Sequence, residues 1–283
     1  MAGTCGGMLM KTLGMVTILR NDRVTFHSYL SPEDGEMVCS QVIETEDKVV
    51  IVDALLLRPH AEELRRYVDR LNKPIDRVIV THSHPDHWFG LEFFQDVPIY
   101  SLPETRDEIA QVGDYLLQYK GATLGDLVAD NKVVPTNIVQ EGTEVIDGLR
   151  YVFTKVVDTE APIILLVELP DLNTLVAQDL VYNRVYLCVG EQNSKGEYLF
   201  DGWKNYLKKL QGEGYETVLP GHGEPTNSSI FPETIGYIEY AQQIFQAGSS
   251  EVEQKQKLMD KYPTYRVSEV LDISNVFLFH RDW

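Results

Sequence analysis

Cysteine is scarce in this chain. Cys5, Cys39 and Cys188 are the three cysteines among 283 residues, and no two of them form a Cys-x-x-Cys pair. Disulfide-rich secreted domains and zinc ribbons depend on such pairs, so the sequence indicates neither kind of protein. We expect Cys39 and Cys188 to be buried structural thiols.

Basic residues and long apolar runs are also few. Lys and Arg total 25 against 43 Asp and Glu, which gives a net charge of −18. Such a surface repels phosphates and anionic lipid, so we expect neither nucleic acid nor a membrane as a partner. No apolar run approaches the length of about 20 residues that a membrane span needs. Residues 8–16 are apolar but interrupted by Lys11 and Gly14, so we expect no secretory signal and a soluble, cytoplasmic protein.

What the sequence does have is a cluster of metal-binding side chains. Residues 81–87 read Thr-His-Ser-His-Pro-Asp-His and hold three of the seven histidines. They follow residues 76–80, a short run rich in β-branched residues that predicts a buried strand. His82, His84, Asp86 and His87 are therefore expected on the turn that leaves a strand. Imidazole and carboxylate are ligands that zinc and its neighbours prefer, so the sequence predicts a metal site here.

This run resembles the first motif of the metallo-β-lactamase superfamily, and further matches follow in that family's order. Residues 49–53 resemble its early strand, which ends in a structural aspartate, here Asp53. Residues 177–180 resemble its Gly-Asp-Leu segment, with Gln178 at the usual glycine and Asp179 at the carboxylate that bridges two metals. Residues 219–223 resemble its late Pro-Gly-His-Gly loop, whose histidine is His222 in this chain.

One position departs from the resemblance. The family usually has another histidine between the first motif and the bridging aspartate, but this chain has none from Trp88 to Gly221. Glu160 stands at that position. A carboxylate can replace imidazole on zinc, although it is a harder ligand that shifts preference toward manganese, iron or magnesium. Three alternatives stay open: ligation by Glu160, ligation by Asp158, and a solvated Glu160 beside a weak or empty first site.

Carried over residue by residue, the resemblance implies two divalent ions, with zinc expected first and manganese or iron as alternatives. It also implies that a metal-bound hydroxide attacks a carbonyl or phosphoryl centre, with Asp86 orienting it or passing its proton to the leaving group. The implied ligands are His82, His84 and Glu160 for one ion, Asp86, His87 and His222 for the other, and Asp179 as the bridge.

The function expected from this resemblance is that of a metal-dependent hydrolase acting on a small molecule. The bond would belong to a lactone, ester, thioester or amide, and the family's shared motifs do not choose among them. Two alternatives come from other classes. One is an iron-dependent oxidoreductase similar to sulfur dioxygenases, because Glu160 favours a harder metal. The other is a non-catalytic binding protein with a degraded site.

Short strands and helices alternate along the chain and predict an α/β fold. The resemblance implies a four-layer αββα sandwich, formed by residues 15–283 as one domain behind a flexible N-terminus at residues 1–14. Residues 103–137 interrupt the alternation and are expected to form either a helical lid over the metal site or a peripheral helix pair. Tyr115, Tyr119 and Tyr186 are the candidate substrate-binding residues.

The remaining histidines and the C-terminal helices receive structural interpretations. His27, His60 and His280 have no place in the metal arrangement and are expected to be ordinary structural or surface residues. The region from Phe231 to about Lys261 is expected to be largely helical. Its apolar stripe would pack on a sheet or support a homodimer.

Overall fold

A computed structural model describes residues 14–280, in which two β-sheets lie between helices. The predicted flexible segment 1–14, Cys5 included, lies outside the described residues except for Gly14. Most of the predicted elements are present, because their apolar periodicities agree with the layers that bury them. No helix within residues 14–280 is both long enough and apolar enough to cross a membrane.

The first sheet has seven strands that follow one another in chain order. Its first four strands pair antiparallel, and its last four pair parallel. The parallel strands leave the sheet at the same end, where the histidine-rich turn begins. The strands are β1 (Met15–Arg20), β2 (Thr25–Leu30), β3 (Cys39–Glu44), β4 (Val49–Val52), β5 (Ile75–Val80), β6 (Ile99–Ser101) and β7 (Asn137–Ile138).

The second sheet has five strands in the order β12-β11-β10-β9-β8. Only β11 and β12 pair in parallel, and the connection between them contains a helix. The pairing of β11 with β12 shifts register at Gln178, and such irregularities redirect side chains beside functional sites. The strands are β8 (Gly142–Ile146), β9 (Leu149–Val157), β10 (Ile163–Leu169), β11 (Thr174–Tyr182) and β12 (Thr217–His222).

Seven α-helices occur within residues 14–280. Ala61, Leu64, Val68 and Leu71 are spaced by three and four residues, which predicts a helix after Asp53. The structure forms a helix there and buries the first three of these side chains. Ser250 begins another helix with a capping box to Glu253, which satisfies backbone donors at its first turn. The helices are α1 (Arg58–Asp69), α2 (Pro85–Trp88), α3 (Pro103–Leu124), α4 (Phe200–Leu210), α5 (Ile230–Gln246), α6 (Glu251–Lys261) and α7 (Glu269–Phe279).

Three buried cores separate the layers. Val50 and Ile79 of the first sheet meet Val176 and Leu219 of the second in the central core. Another core lies between the first sheet and helices α1 and α3, and the third lies between the second sheet and helices α4 to α7. Each sheet is therefore covered by the other sheet on one face and by helices on the other face. This confirms the αββα sandwich.

Three helical regions differ from the expectation. Residues 88–94, which follow the histidine-rich turn, predict a helix that is mostly 3₁₀ in the structure, since α2 ends at Trp88 and a 3₁₀ helix covers Phe89–Phe94. The long C-terminal helical region breaks near Gly248, which takes a left-handed φ of 81°. Helix α7 was not predicted, although it contributes to the functional site.

Candidate metal centre

The histidine-rich turn connects β5 to α2 at the end of the first sheet. Pro85 occupies the first turn of α2, where its fixed φ suits the helix and its missing N–H leaves no helical bond unmade. The proline therefore helps to start a helix immediately after His84, and this places Asp86 and His87 on that helix. His82 and His87 are fully buried, whereas His84 remains partly accessible.

The second sheet supplies the other predicted ligands. Glu160 lies on the loop between β9 and β10, Asp179 lies within β11, and His222 is the last residue of β12. All three are buried. Glu160 is therefore not a solvated turn residue, and Asp158, two residues earlier, lies outside the ligand groups.

The structure brings the predicted ligands together in two groups. Within each group, one nitrogen or oxygen of every residue lies within 4.8 Å of the others. Asp179 belongs to both groups, with Oδ2 3.7 Å from His82 Nε2 in the first and Oδ1 3.2 Å from His87 Nε2 in the second. The groups are His82, His84, Glu160 and Asp179, and Asp86, His87, Asp179 and His222.

The donor atoms fit metal ions on structural grounds. His82 Nε2, His87 Nε2, Glu160 Oε2 and Asp179 Oδ1 are buried and have no hydrogen-bond partner among the described residues. A buried polar atom left unpaired destabilises the folded protein by about 1–3 kcal/mol, so these four neighbouring atoms need bound partners. Nitrogen and carboxylate oxygen are suitable donors for zinc, manganese or iron. A divalent ion in each group would satisfy these atoms.

A surrounding set of hydrogen bonds orients the imidazoles. Asp53 Oδ2 lies 2.8 Å from His87 Nδ1, and Asp53 also accepts from the Thr81 backbone and hydroxyl. Gln178, which the resemblance placed at a glycine, has a left-handed φ of 43° and donates its amide to Asp53. Such outer contacts fix which ring nitrogen faces a metal.

Two further imidazoles are held from outside the ligand groups. His84 Nε2 lies 2.8 Å from Glu191 Oε1, so that His84 Nδ1 faces Glu160 Oε2 at 3.6 Å. His222 Nδ1 donates to the backbone carbonyl of Glu36 at 2.8 Å. Sequence reasoning did not identify Glu191 or Glu36, because each lies far along the chain from the histidine that it contacts.

The pKa values of the three carboxylates in the ligand groups are shifted in different directions. Burial would raise the pKa of Asp179, but His87 and His222 outweigh it and hold that pKa well below its usual value. Asp86 behaves in the same way beside these histidines. Burial raises the pKa of Glu160 well above its usual value, so an incoming cation would have to displace its proton.

The comparison with known families agrees with this geometry. The sequence pattern described as the Metallo-beta-lactamase superfamily matches residues 35–222. The chain belongs to the metallo-β-lactamase superfamily. The matched range contains every predicted ligand and ends at His222, so α5, α6 and α7 lie beyond it.

Curated proteins that are similar to this chain include enzymes named as sulfatases. An alkyl/aryl-sulfatase, BDS1, of Saccharomyces cerevisiae is 24% identical over 67% of this chain and 35% of its own length. A linear primary-alkylsulfatase of a Pseudomonas species is 26% identical over 65% of this chain and 33% of its own length. The chain thus spans about a third of the length of these relatives.

Solved structures of the superfamily share the fold. A metallo-β-lactamase from Pontibacter korlensis has a TM-score of 0.59 and 19% identity, covering 80% of this chain and 99% of its own. The metallo-β-lactamase FIM-1 from Pseudomonas aeruginosa, in a mono-zinc form, has a TM-score of 0.56 and 18% identity, covering 81% and 96%. At this identity, the likeness shows the fold alone.

Tyr182 joins the ligand groups of this superfamily member in a way that the sequence did not reveal. Its hydroxyl donates to Asp179 Oδ2 at 2.8 Å and lies 3.2 Å from Glu160 Oε1, and its ring stacks on His222 at 4.4 Å. Burial, Asp179 and Glu160 raise the pKa of Tyr182 well above its usual value, so the phenol remains a donor. The sequence signal that could have indicated this contact is its position, three residues after Asp179 and within the irregular part of β11.

A cleft of about 540 Å³ opens on the ligand groups. His84, Asp86, Asp179 and His222 line one end of it. The two walls are helices: α3 contributes Tyr115, Leu116 and Tyr119, and α7 contributes Ile273, Val276 and Phe277. Residues 103–137 therefore contain one long helix whose C-terminal half borders the site, rather than a peripheral helix pair.

Other candidate residues lie away from the ligand groups. The expectation that Tyr186 binds substrate is corrected by the structure. Tyr186 is buried, donates its hydroxyl to the Tyr262 carbonyl at 2.9 Å, and does not line the cleft. His27 contacts Tyr67 and Glu44. His280 lines the cleft, and its Nε2 lies 2.9 Å from Glu251 Oε1. Cys188 lines the cleft, but burial and nearby carboxylates raise its thiol pKa well above the usual value, which suits a structural residue.

Proposed function

We propose that this protein is a metal-dependent hydrolase that cleaves a lactone, ester, thioester or amide bond of a small molecule. One observation carries the proposal: two groups of buried ligand atoms share Asp179 and face the end of an apolar cleft. The cleft volume falls within the roughly 300–1,000 Å³ of small-molecule sites. The superfamily contains hydrolases, and this geometry supports the same chemistry here.

The seven predicted residues would hold two ions. His82, His84 and Glu160 would bind one ion, and Asp179 would bridge it to the other. The second ion would be completed by Asp86, His87 and His222. When bound, the ions supply Lewis acidity for a carbonyl oxygen and lower the pKa of water from 15.7 to about 7.

The chain's own residues orient the reaction and move its proton. Asp86 lies at the cleft end, with Oδ2 3.3 Å from His87 Nε2 and 3.2 Å from His222 Nε2. Asp86 stays ionised, because His87 and His222 hold its pKa well below its usual value. In this form its carboxylate would accept the proton of a water molecule that the bound ions have made more acidic. In the reaction, the water oxygen bonds to the acyl carbon, the bond to the leaving group breaks, and the proton passes from Asp86 to that group.

Tyr182 and the cleft walls assist by positioning. The Tyr182 hydroxyl holds Asp179 Oδ2, which keeps the shared carboxylate facing both ligand groups. The apolar side chains of α3 and α7 would bind the apolar part of a substrate and exclude bulk water from the reacting bond. We also propose that α3 acts as a lid that closes over the cleft.

Sulfate ester hydrolysis is the second candidate function. The curated relatives named as alkylsulfatases favour it. The cleft could hold an alkyl chain for either kind of ester. The two candidates differ in the charge of the group that must reach the ligand atoms, since a sulfate monoester is anionic and a carboxylic ester is neutral.

Metal analysis and a substrate panel test the proposal together. The protein would be purified without added metal, its ions counted by mass spectrometry, and lactones, thioesters, alkyl esters, β-lactams, phosphodiesters and alkyl sulfates assayed. We expect zinc or manganese together with cleavage of an acyl bond. Iron with oxygen uptake would instead support an oxidoreductase similar to sulfur dioxygenases. Absence of bound metal and of turnover would support a degraded binding site.

A further inference from the structure

We infer that Gln178 is a positioning residue, which holds the metal ligands of the second sheet in register with those of the first. The inference rests on the proposed function only for the presence of bound metal ions. Three observations carry it: the contact that Gln178 makes between the sheets, the histidines that its partner orients, and the unfavourable state in which Gln178 itself is held.

Gln178 connects the two sheets at the ligand groups. It lies on β11 of the second sheet, is fully buried, and directly precedes Asp179. Its side-chain amide reaches across to the first sheet and donates to Asp53 Oδ2, immediately after the end of β4. Because Gln178 and Asp179 are adjacent in the chain, this contact ties the place of the shared carboxylate to that of Asp53.

Asp53 in turn orients a histidine in each ligand group. Its Oδ2 lies 2.8 Å from His87 Nδ1, so that His87 Nε2 faces Asp179 Oδ1 at 3.2 Å. The same oxygen accepts the Thr81 hydroxyl at 2.7 Å, and Thr81 Oγ1 lies 3.1 Å from His82 Nδ1. His82 Nε2 therefore faces Asp179 Oδ2, at 3.7 Å. The carboxylate that accepts the glutamine amide thus acts on both ligand groups.

The donors to Asp53 come from different sheets. Its carboxylate accepts from the backbone N–H and the hydroxyl of Thr81, from His87 and from Gln178. Thr81 and His87 lie on the turn after β5, so they move together with the first sheet. Of these donors, Gln178 alone belongs to the second sheet. The amide therefore fixes the whole set relative to Asp179, in the way that outer contacts orient metal ligands.

Other contacts keep the two sheets together near the site without Gln178. The Thr81 carbonyl accepts from the Leu165 backbone N–H at 2.9 Å. Gln41 donates its side-chain amide to the Pro220 carbonyl at 3.0 Å. These contacts remain when Gln178 is changed, so we expect its variants to fold. The role of the Gln178 amide is then local, at the ligand groups.

Gln178 is held in an unfavourable state. Its φ of 43° is left-handed, a conformation that glycine adopts more readily than glutamine. Its Oε1 atom is buried and has no hydrogen-bond partner among the described residues. Both features destabilise the fold, and a glycine at this position would avoid both. Backbone strain of this kind occurs at functional sites, where the surrounding contacts maintain it.

Two variants separate the amide donor from the strained backbone. Gln178→Met keeps a side chain of similar length without the donor, and Gln178→Gly removes the side chain and relieves the backbone. Competition with a zinc chelator would measure the affinity for each ion. We expect both variants to bind both ions about tenfold more weakly, the lower end of the effect of losing an outer contact. The visible absorption of the cobalt-loaded protein should also change, because it depends on ligand geometry.

Two control variants reproduce each change away from the ligand groups. Gln254→Met removes a buried amide that donates to the Ala241 carbonyl between α6 and α5. Asn173→Gly relieves a left-handed φ of 46° in the turn before β11. Neither should change the metal affinity or the cobalt spectrum. Circular dichroism and denaturant unfolding of the metal-free proteins would compare their folds and stabilities.

The outcomes distinguish a positioning role from a structural one. Parent metal affinity and an unchanged cobalt spectrum in both Gln178 variants would overturn the inference, and lower stability alone would make Gln178 a structural residue. Full affinity in Gln178→Gly with a loss in Gln178→Met would also overturn it, because the donor would then be dispensable. Turnover enters none of these measurements. Two bound ions without hydrolysis of any substrate would contradict the proposed function and leave the inference standing, whereas a parent protein that binds no metal would overturn both.

Discussion

Glu160 Oε2 lies 3.6 Å from His84 Nδ1, and both residues belong to the same candidate ligand group. The glutamate thus occupies the place where the superfamily resemblance implied a histidine. A carboxylate there adds a negative charge that an imidazole would not have. It also makes this ligand group harder, which favours ions such as manganese more than an all-imidazole group would.

The first prediction concerns Glu160. Glu160→Gln should lower the metal content from two ions to about one per chain, because a neutral amide is a much poorer ligand. Glu160→His should keep two ions and raise the preference for zinc over manganese. Metal analysis of the purified variants measures both effects, with Glu141→Gln on the exposed surface as control. Two ions in Glu160→Gln would show that Glu160 is not a ligand.

The second prediction concerns the shared carboxylate. Asp179→Ala should weaken binding of both ions and abolish turnover, because Asp179 belongs to both ligand groups. Metal content and activity on any accepted substrate are the measurements. Asp171→Ala, which removes a partner of Arg150 away from the site, should change neither. Activity near that of the parent protein with full metal content would contradict the bridging role.

The third prediction tests how Glu191 orients His84. Glu191→Ala should weaken binding of the first ion about 10–100-fold, since His84 loses the partner that keeps Nδ1 toward the site. Glu191→Gln should lose less, because its amide oxygen can still accept from Nε2. Competition with a chelator measures affinity for each variant, and Glu197→Gln in the same loop serves as control. If Glu191→Ala bound the first ion as tightly as the parent protein does, Glu191 would not position His84.

The fourth prediction concerns Tyr182. Tyr182→Phe keeps the ring that stacks on His222 but removes the hydroxyl that donates to Asp179. We expect activity to fall about 10–100-fold with metal affinity reduced, as for other outer contacts of metal ligands. Tyr186→Phe is the matched control, because that hydroxyl donates to the Tyr262 carbonyl away from the ligand groups and its loss should affect stability alone. Equal activity in both variants would argue against a role for the Tyr182 hydroxyl.

The fifth prediction follows from the overall charge. A net charge of −18 should prevent measurable binding to generic RNA or DNA at physiological salt. Fluorescence anisotropy with labelled single- and double-stranded oligonucleotides is a direct measurement. Tight binding that weakens steeply with added salt would show a basic surface that the composition conceals.

Much of the site was predictable because its information is local. His82, His84, Asp86 and His87 lie within six residues, and the β-branched run before them specifies the strand that presents them. Alternating and helical apolar patterns likewise indicated most strands and helix α1. Asp179 and His222 were placed by resemblance, and the structure brings them to the same centre.

Other features were decided by contacts between distant parts of the chain. Glu191 meets His84 across 107 residues, and Glu36 meets Lys120 across 84. No local pattern marks such pairs, because each residue alone has the sequence context of an ordinary polar loop or helix position. The role of helix α7 was not predicted for a related reason. Whether α7 lines the cleft depends on where the packed chain places it after α6.

The sequence by itself determined the local cluster of metal-binding side-chain types, the alternation of strands and helices, and the acidic net charge. The tertiary structure alone decided that Glu160 is buried among the predicted ligands, that Tyr182 contacts Asp179, and that Tyr186 lies away from the cleft. The physical reason is that ligand types and periodicities are encoded within a few neighbouring residues. Burial and side-chain partners depend on how the two sheets and their covering helices pack together.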